Sequence, residues 1–235
     1  EDQVVLIVGG GQIPGETLGN GRATALTFAR EGAKIAVADI DMASAQETVQ
    51  LIHEQGSEAI AIQGDVSKEI DCARFVSETL DYYGQLNILQ NNVGIGPGAS
   101  GPTKITAEAW RHILDVNLTG MFLIIKHVLP NMQKQRSGVI TNISSTISIA
   151  GNTNVRGSST DQNEGQGQIA YRVSKTGVNS LTESFAIRQA RYGIRVNAIL
   201  PGLMETPNAI ETVIGSSNLS RDELNRMRDK QVPFL

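Results

Sequence analysis

Six short apolar runs recur along this chain, each followed by a segment with helical spacing, and this alternation constrains the fold more than any other feature. The runs are VVLIVGG (4–10), KIAVAD (34–39), EAIAIQGD (58–65), LNILQNN (86–92), GVITNIS (138–144) and RVNAILPG (195–202). They are nearly continuous in Val, Ile, Leu and Ala, as strands covered on both faces are. Between them, apolar residues fall three and four apart: Ala25, Phe28 and Ala29; Ala45, Val49 and Ile52; Phe75, Val76 and Leu80. That spacing makes one apolar stripe on a helix. Repeated strand, helix, strand units predict an α/β fold: a doubly wound parallel sheet with helices on both faces and ligands at the carboxyl ends of the strands. With 235 residues and no linker-like stretch, the chain is expected to form a single domain over 1–235.

Charge and composition narrow the partners. Twenty basic and 24 acidic side chains give a net charge of −4 without a block of like charge, so no electrostatic footprint for nucleic acid is expected. The longest apolar stretch, GMFLIIKHVL (120–129), is interrupted by charge and shorter than the roughly 20 residues of a membrane span. No basic-then-apolar leader opens the sequence, and its one cysteine, Cys72, excludes an internal disulfide. His53, His112 and His127 lack metal-ligand spacing. The expectation is a soluble, cytoplasmic, metal-free protein. Two segments read as irregular loops, 97–104 and 150–168, the second too long for an ordinary connection and therefore functional or mobile. Ser220 with Glu223 forms a capping box that predicts a short helix over 219–231.

The chemistry-bearing residues lie at the ends of the runs. The first ends in Gly9, Gly10 and Gly11, and a helix begins near Gly19, Asn20 and Gly21, where backbone N–H groups and the helix dipole can meet a pyrophosphate. A strand-to-helix turn that binds nothing accounts for these glycines equally well. Asp39 stands 18 residues after Gly21, near the spacing of about 20 at which a carboxylate meets the adenosine ribose and repels a 2′-phosphate. It could instead cap the next helix, although Asp41 is better placed. Tyr171 and Lys175 are one helical turn apart, so the ammonium can lower the phenol's pKa toward that of a general base. A core tyrosine beside an exposed lysine is the commoner meaning of that spacing. Ser145 follows the fifth run, and Asn117 interrupts a long helix, where its amide needs water or backbone to bind.

Together these segments resemble the short-chain dehydrogenase/reductase family, of the short, non-extended type, with its Rossmann-like fold, in order from about residue 4 to 207. Gly9, Gly19 and Gly21 resemble its glycine motif, Asp39 its NAD-selecting acid, and Asp65 and Val66 in GDV its adenine contact. NNVG (91–94) resembles the family's Asn-Asn-Ala-Gly, with Val93 in place of alanine, and PGLMET (201–206) the segment that meets the nicotinamide carboxamide. Asn117, Ser145, Tyr171 and Lys175 match the catalytic tetrad. Ser145 is preferred to Ser144 because it lies 28 residues after Asn117 and matches the second serine of the family's pair.

The resemblance implies one dinucleotide-binding catalytic domain using NAD to move a hydride between a secondary alcohol and its ketone. Tyr171 would exchange the proton and Ser145 orient the substrate oxygen; Lys175 would lower the tyrosine pKa and hold the nicotinamide ribose, and Asn117 would hold water in a relay. The cofactor contacts implied are Gly9, Gly11, Gln12, Gly19, Asn20, Gly21, Asp39, Ile40, Asp65, Val66, Asn92, Val93, Gly94, Tyr171, Lys175, Pro201, Gly202, Met204 and Thr206. The partners implied are a small alcohol or ketone and further copies of the chain, as a dimer or homotetramer. A silent dinucleotide-binding sensor or scaffold of the same fold is the alternative.

Three departures from the family stand out. About six extra residues, including Glu16, stretch the glycine interval, and Val8 replaces the usual threonine. Ser145 and Tyr171 are 26 residues apart, about twice the usual interval, the surplus falling in 150–168, where substrate contact is expected. The family continues past VPFL into a further helix and a seventh strand, so a truncated chain is expected.

Overall fold

A computed structural model describes residues 2–96, 103–149, 169–202, 204–207, 210, 220–224 and 226. Five of the six apolar runs contain strands at their expected places: β1 (Val4–Val8), β2 (Lys34–Asp39), β3 (Ala59–Gln63), β4 (Ile88–Asn91) and β5 (Gly138–Ile143). The sixth, β6 (Ile194–Ile199), starts one residue before its run. They form one sheet in the order β3-β2-β1-β4-β5-β6. Every pair is parallel, with Val8 opposite Ala38 on one side and Asn91 on the other. The order reverses between β1 and β4, and the crevice at their carboxyl ends is where such sheets bind ligands.

Helices cover both faces. On one, α1 (Asn20–Arg30) and α2 (Met42–Glu54) bury Ala25, Ala29, Ala45 and Ile52 against Val5, Ile7, Ile35 and Val37. Small side chains dominate there, so backbones approach closely. On the other face α3 (Glu69–Tyr83) and α5 (Gly120–Gln135) pack Phe75, Val76, Ile124, Val128 and Met132 against Leu6, Leu89 and Ile140. The last crossover helix, α6 (Ile169–Gln189), lies against β6 and buries Ala170, Ser174, Lys175 and Val178.

One helix corrects an expectation. α4 (Ala107–Leu114) runs through a π-helical turn at Asp115–Thr119 straight into α5. The resulting 29-residue helix is long and apolar enough to cross a membrane by those criteria alone, against the shorter run read from sequence. More than half of its apolar window, 56%, is buried inside the protein, with Met121, Ile125 and Leu129 in the core, which marks a central helix of the fold. Asp41 settles the competition for the cap of α2: its carboxylate accepts from the N–H groups of Ala43 and Ser44, leaving Asp39 for other work. The capping box also forms, Ser220 N–H donating to Glu223 Oε2 at 2.8 Å and Glu223 N–H to Ser220 Oγ at 3.4 Å. The expected loop at 150–168, most of that at 97–104, and residues 227–235 lie outside the described residues.

Candidate active site

A cavity of about 660 Å³ opens at the reversal point. Its wall includes the glycine-loop residues Gly9, Gly11, Gln12, Gly19, Asn20 and Gly21, with Asp39 and Ile40 from the end of β2. Asp65, Val66, Asn92, Val93 and Gly94 follow from the loops after β3 and β4, and Ser145, Tyr171 and Lys175 from β5 and α6. Pro201, Gly202, Met204 and Thr206 close it after β6. Asn117 is the exception among the residues singled out: it is fully buried behind the wall.

The stretched glycine loop is tied at both ends. Gly9 turns the chain off β1 with φ +80°, a conformation that costs glycine little. Its carbonyl accepts from Asn92 Nδ2 at 3.0 Å and its N–H donates to Ala38 O at 2.8 Å, so the turn is braced although Val8 carries no hydroxyl. The side chain of Gln12 then spans the insertion, Oε1 accepting from Gly19 N–H at 2.7 Å and Nε2 donating to Thr17 O at 3.2 Å. Ser44 of α2 holds the near end, accepting from Gln12 N–H and donating to Gln12 O. Buried Arg22 reaches from α1 to Thr48 and Glu47, and Thr48 donates to Gly10 O. Glu16 points away from the cavity: its carboxylate accepts from Arg221 Nη1 at 2.6 Å, 205 residues along the chain.

This cradle fits a dinucleotide. A Cβ on Gly21 would lie 2.9 Å from the Gly9 carbonyl carbon and 2.8 Å from Asn92 Nδ2, so α1 approaches the loop as closely as only glycine permits. The first turn of α1 has no acidic residue and no side-chain cap, leaving its N–H groups and positive dipole end to an anion. At the far side Asp39 accepts from Gly11 N–H at 2.9 Å and from Asp41 N–H at 3.1 Å. Those bonds fix the carboxylate and leave lone pairs for hydroxyls. Asp65 accepts from the N–H and hydroxyl of Ser67; these bonds and Lys68 outweigh desolvation and hold its pKa below the ordinary value.

At the other end Ser145 and Tyr171 face the same part of the cavity. Burial pushes the phenol above its ordinary pKa and the nearby Ser145 hydroxyl opposes that, so the net shift runs against the lowering expected from sequence. Lys175 shares that burial. Its Nζ donates to Ile143 O at 2.8 Å and sits 5.8 Å from the Tyr171 ring centroid, and burial brings its own pKa down to about 8. An ammonium so desolvated is partly neutral in mild base and is directed to a carbonyl. Gly94 makes room for it: a Cβ there would lie 3.1 Å from Nζ.

Asn117 owes its place to the π-turn, a one-residue widening that is frequent at functional positions. Its Oδ1 accepts from Ile95 N–H at 2.8 Å, while Nδ2 donates to Ile95 O and to Ser174 Oγ, both at 3.1 Å. Both amide hydrogens are thus taken by protein, and the side chain braces the loop after β4, where a water-holding role was expected. Sequence reasoning also missed wall residues Ile13, Pro14, Ser44, His112, Val116 and Pro207. Val116 was findable as the neighbour of Asn117; the others depend on how separate loops and helices meet.

Known proteins resemble this chain in sequence and in fold. An uncharacterized oxidoreductase of Thermotoga maritima is 35% identical over 234 residues, covering 100% of this chain and 84% of its own length. The solved structure of NAD+-bound xylitol dehydrogenase aligns with a TM-score of 0.72 at 31% identity, covering 85% of this chain and 70% of the other. That of actinorhodin polyketide ketoreductase with NADPH aligns at 0.85 and 29%, covering 99% and 83%. A sequence model described as short chain dehydrogenase matches residues 3–214, from the start of β1 past the segment that closes the cavity. With glycine loop, reversal point and tyrosine–lysine helix all inside that match, the chain belongs to the short chain dehydrogenase family.

Proposed function

We propose that this oxidoreductase uses NAD to transfer a hydride between a secondary alcohol and its ketone, with Tyr171 moving the proton. The observation that carries the reading is a cavity with Ser145, Tyr171 and Lys175 at one end and Asp39 with the glycine loop at the other. A bound nicotinamide dinucleotide supplies the hydride acceptor or donor. Gly9, Gly19, Asn20 and Gly21 would hold its pyrophosphate, Asp39 and Asp65 its adenosine half, and Lys175 with Pro201, Gly202, Met204 and Thr206 the nicotinamide half.

The proton chemistry belongs to the protein. Tyr171 accepts the substrate hydroxyl proton in oxidation and returns it in reduction. Ser145 donates to the oxygen that bears negative charge, the phenolate or the substrate alkoxide. Below its pKa of about 8, Lys175 carries the charge that favours ionised Tyr171, opposing the effect of burial. Asn117 keeps the loop after β4 in place through Ile95.

NAD is favoured over NADP by the wall itself. Asp39, Asp41 and Asp65 line the adenosine end, and the lysine among the described lining residues, Lys175, is at the opposite end. A 2′-phosphate beside Asp39 meets repulsion, and among the described residues lining that end there is no lysine or arginine. Exposed Phe122 on α5 and Ile169, Val173 and Ile187 on α6 support self-association into a homo-oligomer.

The test is a panel of secondary alcohols and ketones followed by NADH absorbance, with Tyr171→Phe beside the wild type. Turnover should fall by about 10²–10⁴, the usual worth of a positioned acid–base group, with NADH affinity unchanged. A fully active Tyr171→Phe variant refutes the mechanism. NADH binding without turnover across the panel replaces it with a silent dinucleotide-binding protein.

A further inference from the structure

The face of α6 that presents Tyr171 and Lys175 carries a third residue at the same four-residue step, Asn179. Its Nδ2 donates to Ser148 Oγ at 2.8 Å, and Ser148 Oγ donates in turn to the Ser145 main-chain carbonyl at 2.6 Å. Two further bonds run between α6 and the same stretch: Thr176 Oγ1 donates to Ser148 O at 3.2 Å, and Ser144 Oγ donates to Lys175 O at 3.0 Å. The 3₁₀ turn Thr146–Ser148, with Ser145 at its head, is thereby fastened to the helix that carries the tyrosine.

From these contacts we infer that Asn179 is a positioning residue, which fixes through Ser148 the turn that aims the Ser145 hydroxyl at Tyr171. The inference rests on the dehydrogenase reading above. Ser145 needs such support because its own local bond is weak, Oγ accepting from Ile147 N–H at 3.4 Å, so the placement of its main chain sets where the hydroxyl points.

Asn179 is also poorly explained as a stabilising residue. Its Oδ1 is buried without a hydrogen-bond partner among the described residues, which costs free energy that a leucine of similar size would not incur. Replacement by leucine should therefore spare the fold and expose the kinetic effect.

Asn179→Leu and Ser148→Ala, in the full chain with the best substrate of the panel, should each lower kcat by about tenfold, as sub-ångström to ångström misplacement of a reacting group does. Cofactor KM and NADH affinity should stay within about twofold, and the double variant should be no slower than the slower single one, because both remove one link. Ser148→Thr, which keeps the hydroxyl, should restore activity. An unchanged kcat in Asn179→Leu, or losses that multiply in the double variant, overturns the inference. Amide hydrogen exchange supplies a readout independent of turnover. Ser148 N–H and Ile149 N–H, bonded to Ser145 O and Thr146 O, should exchange faster in Asn179→Leu while α6 keeps its protection; unchanged exchange overturns the inference as well. A wild type that turns over nothing counts against the dehydrogenase reading alone, since exchange still reports whether Asn179 holds the turn.

Discussion

Gly21→Ala separates grip on the cofactor from stability of the fold. In an ordinary helix interior this change stabilises by about 1 kcal/mol. Here the added methyl carbon lies 2.9 Å from the Gly9 carbonyl carbon, about 0.6 Å inside a comfortable carbon–carbon distance, and closer still to the oxygen. A carbonyl held by Asn92 cannot rotate away cheaply, so the start of α1 must retreat by roughly an ångström. Overpacking of this kind costs about 1–3 kcal/mol. Set against the helix gain, the net destabilisation is about 0–2 kcal/mol, a fall of at most roughly 8 °C in Tm for a chain of this size. Binding should suffer more visibly. Moving the first-turn N–H groups off a charged phosphate forfeits about 1.5–3 kcal/mol, a rise of roughly 10- to 100-fold in NADH Kd by fluorescence titration. An alanine variant that binds NADH as tightly as the wild type would refute the close approach and the role assigned to the helix end.

Asp39→Ala should lower the ratio of NAD to NADP efficiency in kcat/KM by removing ribose acceptors and the charge opposed to a 2′-phosphate; an unchanged ratio means Asp39 does not read the ribose. Lys175 is depressed to about 8 in the folded chain against an ordinary 10.5, so between those values the unfolded state binds the extra proton and stability rises with pH, by up to about 1.4 kcal/mol per unit. Thermal melts of wild type and Lys175→Met between pH 8 and 10 should show the wild type gaining on the variant, and parallel curves exclude the shift. Glu16→Gln should leave NADH Kd within about twofold, because the carboxylate is engaged with Arg221; a marked tightening would mean that Glu16 faces the pyrophosphate after all.

The sheet was legible in the sequence because buried parallel strands need unbroken apolar runs, and Val4 to Val8 or Ile35 to Ala38 have no polar residue to confuse the reading. Asp39 and the Tyr171–Lys175 step were legible for a similar reason: local spacing alone puts each at a strand end or on one helix face. What escaped depends on contacts between distant segments. A π-turn at Asp115–Thr119 leaves the periodicity of its flanking helices almost untouched, so the bracing of Ile95 by Asn117 could not be read. Glu16 has a partner 205 residues away. The upward shift of Tyr171 depends on how much water the assembled fold excludes, which spacing cannot convey.

Gln12 has a consequence for how this loop can vary. Because its side chain joins Gly19 while residues 13–18 run outside that joint, the insertion is a closed eyelet, and its circumference is decoupled from the phosphate grip. Doubling the length of a flexible loop costs only about 0.6 kcal/mol in closure entropy. Residues can therefore be added to or removed from the eyelet beyond the cavity-lining Ile13 and Pro14 at little cost to that grip, in a motif whose length is otherwise fixed by the ligand it holds, so long as the glutamine and both glycine ends remain.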